Sequence, residues 1–160
     1  MSIPQETCVS SGDPTIATRY RLELVREHEV PYEELEPCNR PERAAKFLAE
    51  LVRPFAYEVM GAVLLDTRNR AIGHVIAYMG TLNRAAVEPR GLLIPALLAN
   101  AAGIILFHNH PSGDPSPSVE DLAFTRRVAA AGETLGIRLV DHLVLGEEPR
   151  WVSLRQRGGW

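Results

Sequence analysis

The chain has 160 residues, 46% of them hydrophobic but only 6% aromatic, which is enough for one domain on an aliphatic core. Seventeen basic residues against 20 acidic give a formal net charge of −3, which excludes the bulk basic excess that attracts a phosphate backbone regardless of sequence. The longest apolar stretch, LLIPALLANAAGIILF, is interrupted by Pro95, Asn100 and Gly103 and is too short to span a bilayer.

The N-terminus, MSIPQETCVSSGDP, lacks the charged and apolar regions of an export signal, so a cytoplasmic protein is expected. Residues 1–15 are polar and turn-rich and are expected to be loosely ordered, with residues 16–160 forming a single domain. In RYRLELV, Tyr20, Leu22 and Leu24 alternate with Arg19, Arg21 and Glu23, the period of a strand with one buried face. NRPERAAKFLAELV follows, with Pro41 suited to a first helical turn and Ala44, Phe47, Leu48 and Leu51 at helical spacing. The runs AYEVMGAVLLD and AIGHVIAYMG, separated by the polar turn TRNR, predict a hairpin. After TLNRAAVEPR, the segment GLLIPALLANAA reads as helix, with Pro95 marking either a kink or a late start. GIILFH is a short buried strand, SVEDLAFTRRVAAAGETLG a helix, IRLVDHLVLG a strand and WVSLR a last short one. This alternation predicts an α/β fold, mixed α+β in character, in which a central mixed sheet is flanked by helices. Cys8 and Cys38, 30 residues apart, are expected to be two free thiols.

Residues 108–118, HNHPSGDPSPS, carry the chemistry. Side chains two apart on a strand share a side, so His108 and His110 converge at the C-terminal strand end, where α/β sheets open their ligand crevices. The next helix begins near Ser118 and places Asp121 in its first turn. Two imidazoles and a carboxylate resemble the ligand set of a catalytic zinc site, which keeps a position for water. The same residues admit a second reading, because S-x-x-D before a helix approximates a capping box with Ser118 as N-cap. The contiguous letters HNH are unrelated to the HNH nucleases, whose residues are spread over a ββα unit. A zinc deaminase needs H-x-E followed by P-C-x-x-C, yet both cysteines precede His108.

The spacing H-x-H-P-x6-S-x2-D, here His108, His110, Pro111, Ser118 and Asp121, resembles the JAMM signature of the JAB/MPN metalloproteases. The longer text HNHPSGDPSPSVEDLAFTRRVAAAGETLGIRLVDHLVLG is similar to the bacterial RadC-like JAB-domain proteins. The likeness continues through LLDTRNRAIG, GTLNRAAVEPR and LANAAGIIL, and so covers residues 54–157, with 16–53 an N-terminal strand and helix. The resemblance implies a JAB/MPN, cytidine-deaminase-like architecture. It further implies one zinc ion held by His108, His110 and Asp121 with water as fourth ligand, Ser118 stabilising an oxyanion, and Glu58 as general base. Spacing alone does not single out Glu58 among the acids. The implied activity is hydrolysis of an amide, peptide or isopeptide bond in a peptide or protein substrate. The family's association with DNA repair keeps a second class open, a non-enzymatic zinc-containing module that binds DNA or protein.

Around this set, Asn109, Asp141 and His142 are candidates either to orient ligands or merely to close loops. His74 in an apolar strand reads as structural. Arg126 and Arg127 read as a solvated helix face or a nucleic-acid contact. The apolar helix GLLIPALLANAA either packs inside or pairs with a second copy. One departure stands out: RadC-like sequences commonly carry His-Pro-Arg-Glu where this chain has Glu88, Pro89, Arg90 and Gly91.

Overall fold

The computed structural model describes residues 21, 24, 25, 38, 40–80 and 87–160. The expected strand RYRLELV, residues 1–15 and Cys8 lie outside the described residues, apart from Arg21, Leu24 and Val25. The described elements are α1 (Pro41–Val52), β1 (Val59–Leu65), β2 (Ala71–Met79), α2 (Arg90–Leu98), β3 (Gly103–Asn109), α3 (Val119–Thr134), β4 (Arg138–Leu145) and β5 (Trp151–Ser153). The strands form one sheet in the order β2-β1-β3-β4-β5. β3 and β4 run parallel, and the other neighbouring pairs are antiparallel. The fold is thus α/β with a mixed sheet, as its alternating pattern predicts.

Helices cover both faces of this sheet, which explains why its central strands are continuously apolar instead of alternating. All seven residues of β1, VMGAVLL, and all seven of β3, GIILFHN, are buried. On one face, Ala44, Ala45, Leu48 and Val52 of α1 pack on Val59, Val63, Ile105, Phe107 and Leu143. On the other, Leu92, Leu93 and Ala96 of α2 join Phe124 and Val128 of α3 over Met60, Ala62, Leu64, Ile104 and Leu106. Leu48 is fully buried, so truncation to Ala removes about 2–5 kcal/mol.

β3 alternates between these layers: Ile105 and Phe107 face α1, whereas Ile104 and Leu106 face α2 and α3. Continuing the alternation sends His108 toward α3 and Asn109 toward α1. Pro95 lies inside α2, not at its start; the ring withholds a hydrogen bond from the Gly91 carbonyl one turn earlier. The helix stops at Leu98, and Asn100 takes φ +53° just beyond it. The Cys38 thiol is buried and forms no disulfide among the described residues. No described helix is long and apolar enough to cross a membrane.

Candidate metal centre

Residues 110–118 form a tight loop against the β4 to β5 connection. The His110 N–H donates to the Leu145 carbonyl at 2.8 Å, and the Gly113 N–H returns to the His110 carbonyl at 2.9 Å. Gly113 takes φ +83°, a left-handed conformation open to glycine at no steric cost. Its carbonyl accepts the Glu147 N–H at 3.0 Å. Gly146 completes the seam, because a Cβ there would overlap the Gly113 carbonyl oxygen. Gly113 and Pro115 of HNHPSGDPSPS thus pack against Gly146 at the end of β4. His110 Nδ1 then lies 2.7 Å from the Asp114 carbonyl oxygen. A carbonyl only accepts, so Nδ1 carries the proton and Nε2 presents a lone pair.

That Nε2 faces His108 Nε2 at 3.0 Å. Asp121 reaches both rings, with Oδ1 3.4 Å from His108 Nε2 and Oδ2 3.8 Å from His110 Nε2. Ligand bonds of about 2.0–2.1 Å in a tetrahedral zinc site place donor atoms about 3.3 Å apart; the two ring nitrogens and the Asp121 Oδ1 contact with His108 lie near that value, while Asp121 approaches His110 with its other oxygen. Glu58 closes another side: its ligand atom and those of His108 and His110 all lie within 4.8 Å of one another. Antiparallel pairing delivers it. Met60 sits opposite His108 in the register, and Glu58, two residues earlier, follows the same side of the chain. Its Oε1 is shielded from solvent. The donor set, two ring nitrogens and two carboxylates converging at a strand end, suits a divalent cation.

Ser118 serves the capping role and orients Asp121 in the same stroke. Its Oγ accepts the Asp121 N–H at 3.1 Å and donates to Asp121 Oδ2 at 2.7 Å, while the Ser118 N–H donates to that oxygen at 2.7 Å. The box is complete on both sides, so the capping and the site readings of S-x-x-D describe one geometry. Burial opposes ionisation of Asp121, but the hydrogen bond and charge that His108 offers when its ring is doubly protonated, together with the two Ser118 donors, outweigh it and hold the carboxyl well below the usual carboxylate range.

The three surrounding candidates diverge. His142 contacts the site directly, its Nε2 2.8 Å from His108 Nδ1. Complete burial pushes the His142 ring well below its ordinary value and keeps it neutral. Asn109 pairs with backbone instead, accepting from the Val59 N–H and donating to the Tyr57 carbonyl. Asp141 turns to the opposite face, where it accepts from the N–H groups of His142 and Arg155 and from the Ser153 hydroxyl. Burial of that carboxyl raises its pKa, against the opposing pull of these donors.

Other sequence candidates stand apart from this cluster. His74 is half-buried on β2, edge-on to Phe47. Arg126 is exposed, and Arg127 pairs with Glu88 at 3.0 Å. The segment that departs from His-Pro-Arg-Glu has its own local logic. The Tyr78 hydroxyl donates to the Glu88 carbonyl at 2.6 Å and accepts the Glu88 N–H at 2.9 Å. Gly91 lies beneath that ring, where any Cβ would overlap the Tyr78 hydroxyl. Sequence reading missed Thr125, whose Oγ1 lies 2.6 Å from His142 Nδ1. Its only signal is its place one turn after Asp121.

A groove of about 910 Å³ opens from Asn109, His110 and Pro111 between α1 and residues 145–151. Lys46, Phe55 and Trp151 line it, and the ion pairs Arg53 with Glu148 at 3.2 Å and Arg150 with Glu147 at 3.1 Å stand on its rim.

The RadC-like JAB domain family matches residues 38–159. A UPF0758 protein of Geobacillus thermodenitrificans is 36% identical over 160 residues, covering 98% of this chain and 70% of the relative. One from Clostridium kluyveri is 46% identical over 118 residues, or 74% of this chain and 51% of the relative. A third, from Xanthomonas oryzae, is 41% identical over 138 residues, covering 86% and 61% respectively. The chain therefore spans from about half to 70% of the length of these curated relatives. A match over most of the chain, together with a mixed five-stranded sheet carrying His108 and His110 at a strand end, assigns this chain to the RadC-like JAB-domain family.

Proposed function

We propose that this chain is a zinc-dependent hydrolase that cleaves an amide bond, as a metallopeptidase or isopeptidase. The observation that carries the reading is the convergence of His108 Nε2, His110 Nε2 and the Asp121 carboxylate at separations of 3.0, 3.4 and 3.8 Å, with Glu58 alongside. Such a cluster of acceptors is repulsive in isolation and favourable around a cation.

His108, His110 and Asp121 would hold one zinc ion. When bound, zinc supplies Lewis acidity, lowering the pKa of water toward about 7 and polarising the scissile carbonyl. Glu58 takes the proton of the attacking water and delivers it to the leaving amine, a transfer that requires the carboxylate within hydrogen-bond reach. Ser118 supports the oxyanion. Its hydroxyl can turn away from Asp121 Oδ2 because the Ser118 N–H continues to hold that oxygen, and one such donor is worth about 3 kcal/mol.

The test is Glu58→Gln assayed on a peptide library. The variant should retain fold and zinc content while losing hydrolysis. Activity equal to that of the parent would remove Glu58 from the mechanism.

A further inference from the structure

We propose that Thr125 and His142 are positioning residues that fix the ring protons of His108, holding a lone pair of its Nε2 toward the metal centre before any ion arrives. The purpose of that lone pair rests on the zinc reading above; the proton arrangement does not.

The argument starts from a hydroxyl with a single proton. Thr125 Oγ1 lies 2.6 Å from the Asp121 carbonyl oxygen and 2.6 Å from His142 Nδ1. The carbonyl has nothing to donate, so the hydroxyl proton goes there, one turn back along α3. His142 Nδ1 must then supply the proton of the second contact. In a neutral ring that leaves His142 Nε2 as an acceptor. His108 Nδ1, 2.8 Å away, donates to it, and His108 Nε2 is left bare toward His110 and Asp121.

The reversed arrangement satisfies the ring contacts equally well. Thr125 would donate to His142 Nδ1, His142 Nε2 to His108 Nδ1, and His108 Nε2 to His110. The first arrangement leaves His108 Nε2 and His110 Nε2 without a proton at 3.0 Å, beside a partly exposed His110 ring, whereas the reversed one sets Thr125 Oγ1 and the Asp121 carbonyl oxygen 2.6 Å apart with no proton between them. Neither Thr125 nor His142 has any exposed surface, so water does not relieve that contact. The Asp121 carbonyl therefore decides the tautomer of a histidine on another element. Through β4, the same chain of contacts joins β3 and α3, which carry the ligand atoms.

Long-range proton–nitrogen-15 correlation spectra of the metal-free chain at neutral pH read ring tautomers directly. Protonated Nδ1 with bare Nε2 is expected for both His142 and His108, and an Nε2–H on His142 would overturn the proposal. Calorimetric zinc titration gives a second readout. Thr125→Val, similar in shape but without the hydroxyl, should bind zinc about 10- to 100-fold more weakly, the usual effect of removing a group that orients a ligand. Thr125→Ser should restore the parent affinity. Parent-like binding by a folded Thr125→Val would also overturn the proposal. Should Thr125→Val not fold, the spectra of the parent decide alone. The expected tautomers in a parent that takes up no zinc would support the proton arrangement while sinking the zinc reading.

Discussion

Asn109 Oδ1 accepts the Val59 N–H at 2.7 Å while its Nδ2 donates to the Tyr57 carbonyl at 3.1 Å, so one buried side chain grips the backbone on both sides of Glu58. This joins the strand that bears His108 to the residue proposed as its base. Replacing Asn109 with Leu strips both backbone groups of their partner, and a loss of about 2–4 kcal/mol is expected in urea unfolding. Asn109→Asp keeps the acceptor but sets a buried carboxylate oxygen against the Tyr57 carbonyl, so it should be destabilised as well. Zinc content should be unchanged in both while kcat on a peptide substrate falls. Loss of zinc with unaltered kcat per bound ion would contradict this division of labour.

The proposed ligand set of His108, His110 and Asp121 implies a stoichiometry. Protein purified without chelator should contain one equivalent of zinc by elemental analysis, and His108→Ala should contain none. A ligand that binds only the folded state raises stability by mass action, so chelation should lower the melting temperature of the parent and leave that of His108→Ala untouched. Equal zinc in both proteins would place the ion elsewhere.

Acid should destabilise the metal-free protein in two steps. The folded-state value of His142 lies well below 6.5 because the ring is buried, so below pH 6.5 the unfolded chain binds a proton that the folded chain refuses. Stability is therefore complete above that pH and declines as pH falls, by about 1.4 kcal/mol per pH unit for one proton. Asp121 acts in the same direction lower down: its depressed value contributes stability that is present above about pH 3.8 and disappears as pH drops further. Denaturant titrations between pH 7 and pH 5 should show the first decline in the parent, and His142→Gln should flatten it. An identical slope in both proteins would assign the effect to other groups.

Gly146 offers a steric test of the loop. A Cβ at this position overlaps the Gly113 carbonyl oxygen and comes within 2.8 Å of Pro115, so Gly146→Ala must push residues 110–118 off the end of β4. A loss of about 1–3 kcal/mol is expected, with weaker zinc binding because His110 moves with the loop. Gly73→Ala on the edge strand β2 is the matched control. Its nearest neighbour would be 4.0 Å away, and its stability should stay within about 0.5 kcal/mol of the parent. Comparable losses in the two variants would mean that the loop is not held by this seam.

Much of the fold was legible because its signals are local. Pro41 followed by Ala44, Phe47, Leu48 and Leu51 marks the start and apolar stripe of α1; Pro41, Ala44 and Leu48 are buried, and Phe47 and Leu51 pack partly buried at the margin of the core. The turn between β1 and β2 is equally self-contained: Asp66 Oδ1 accepts the N–H groups of Arg68 and Arg70, and Asn69 takes φ +60°. α2 was less legible. Pro95 suggested a kink or a delayed start, yet the helix begins at Arg90 because Leu92, Leu93 and Ala96 gain a buried face on the sheet. The same contrast divides the site. His108, His110, Ser118 and Asp121 sit within one strand end, one loop and one helical turn, so their spacing announces them.

What the sequence alone determined, then, is the segment that carries the candidate ligands, since a two-residue strand period and a helix cap are properties of neighbours along the chain. Tertiary structure alone decided which distant groups meet that segment. Glu58 arrives through the pairing of Met60 with His108, and His142 through the parallel alignment of β4 beside β3. Asp141, one residue away from His142, is sent to the opposite face by the alternation of the same strand. The physical reason is that strand register is set by the packing of whole faces against α1, α2 and α3, and a shift of one residue would exchange Asp141 for His142 at the site.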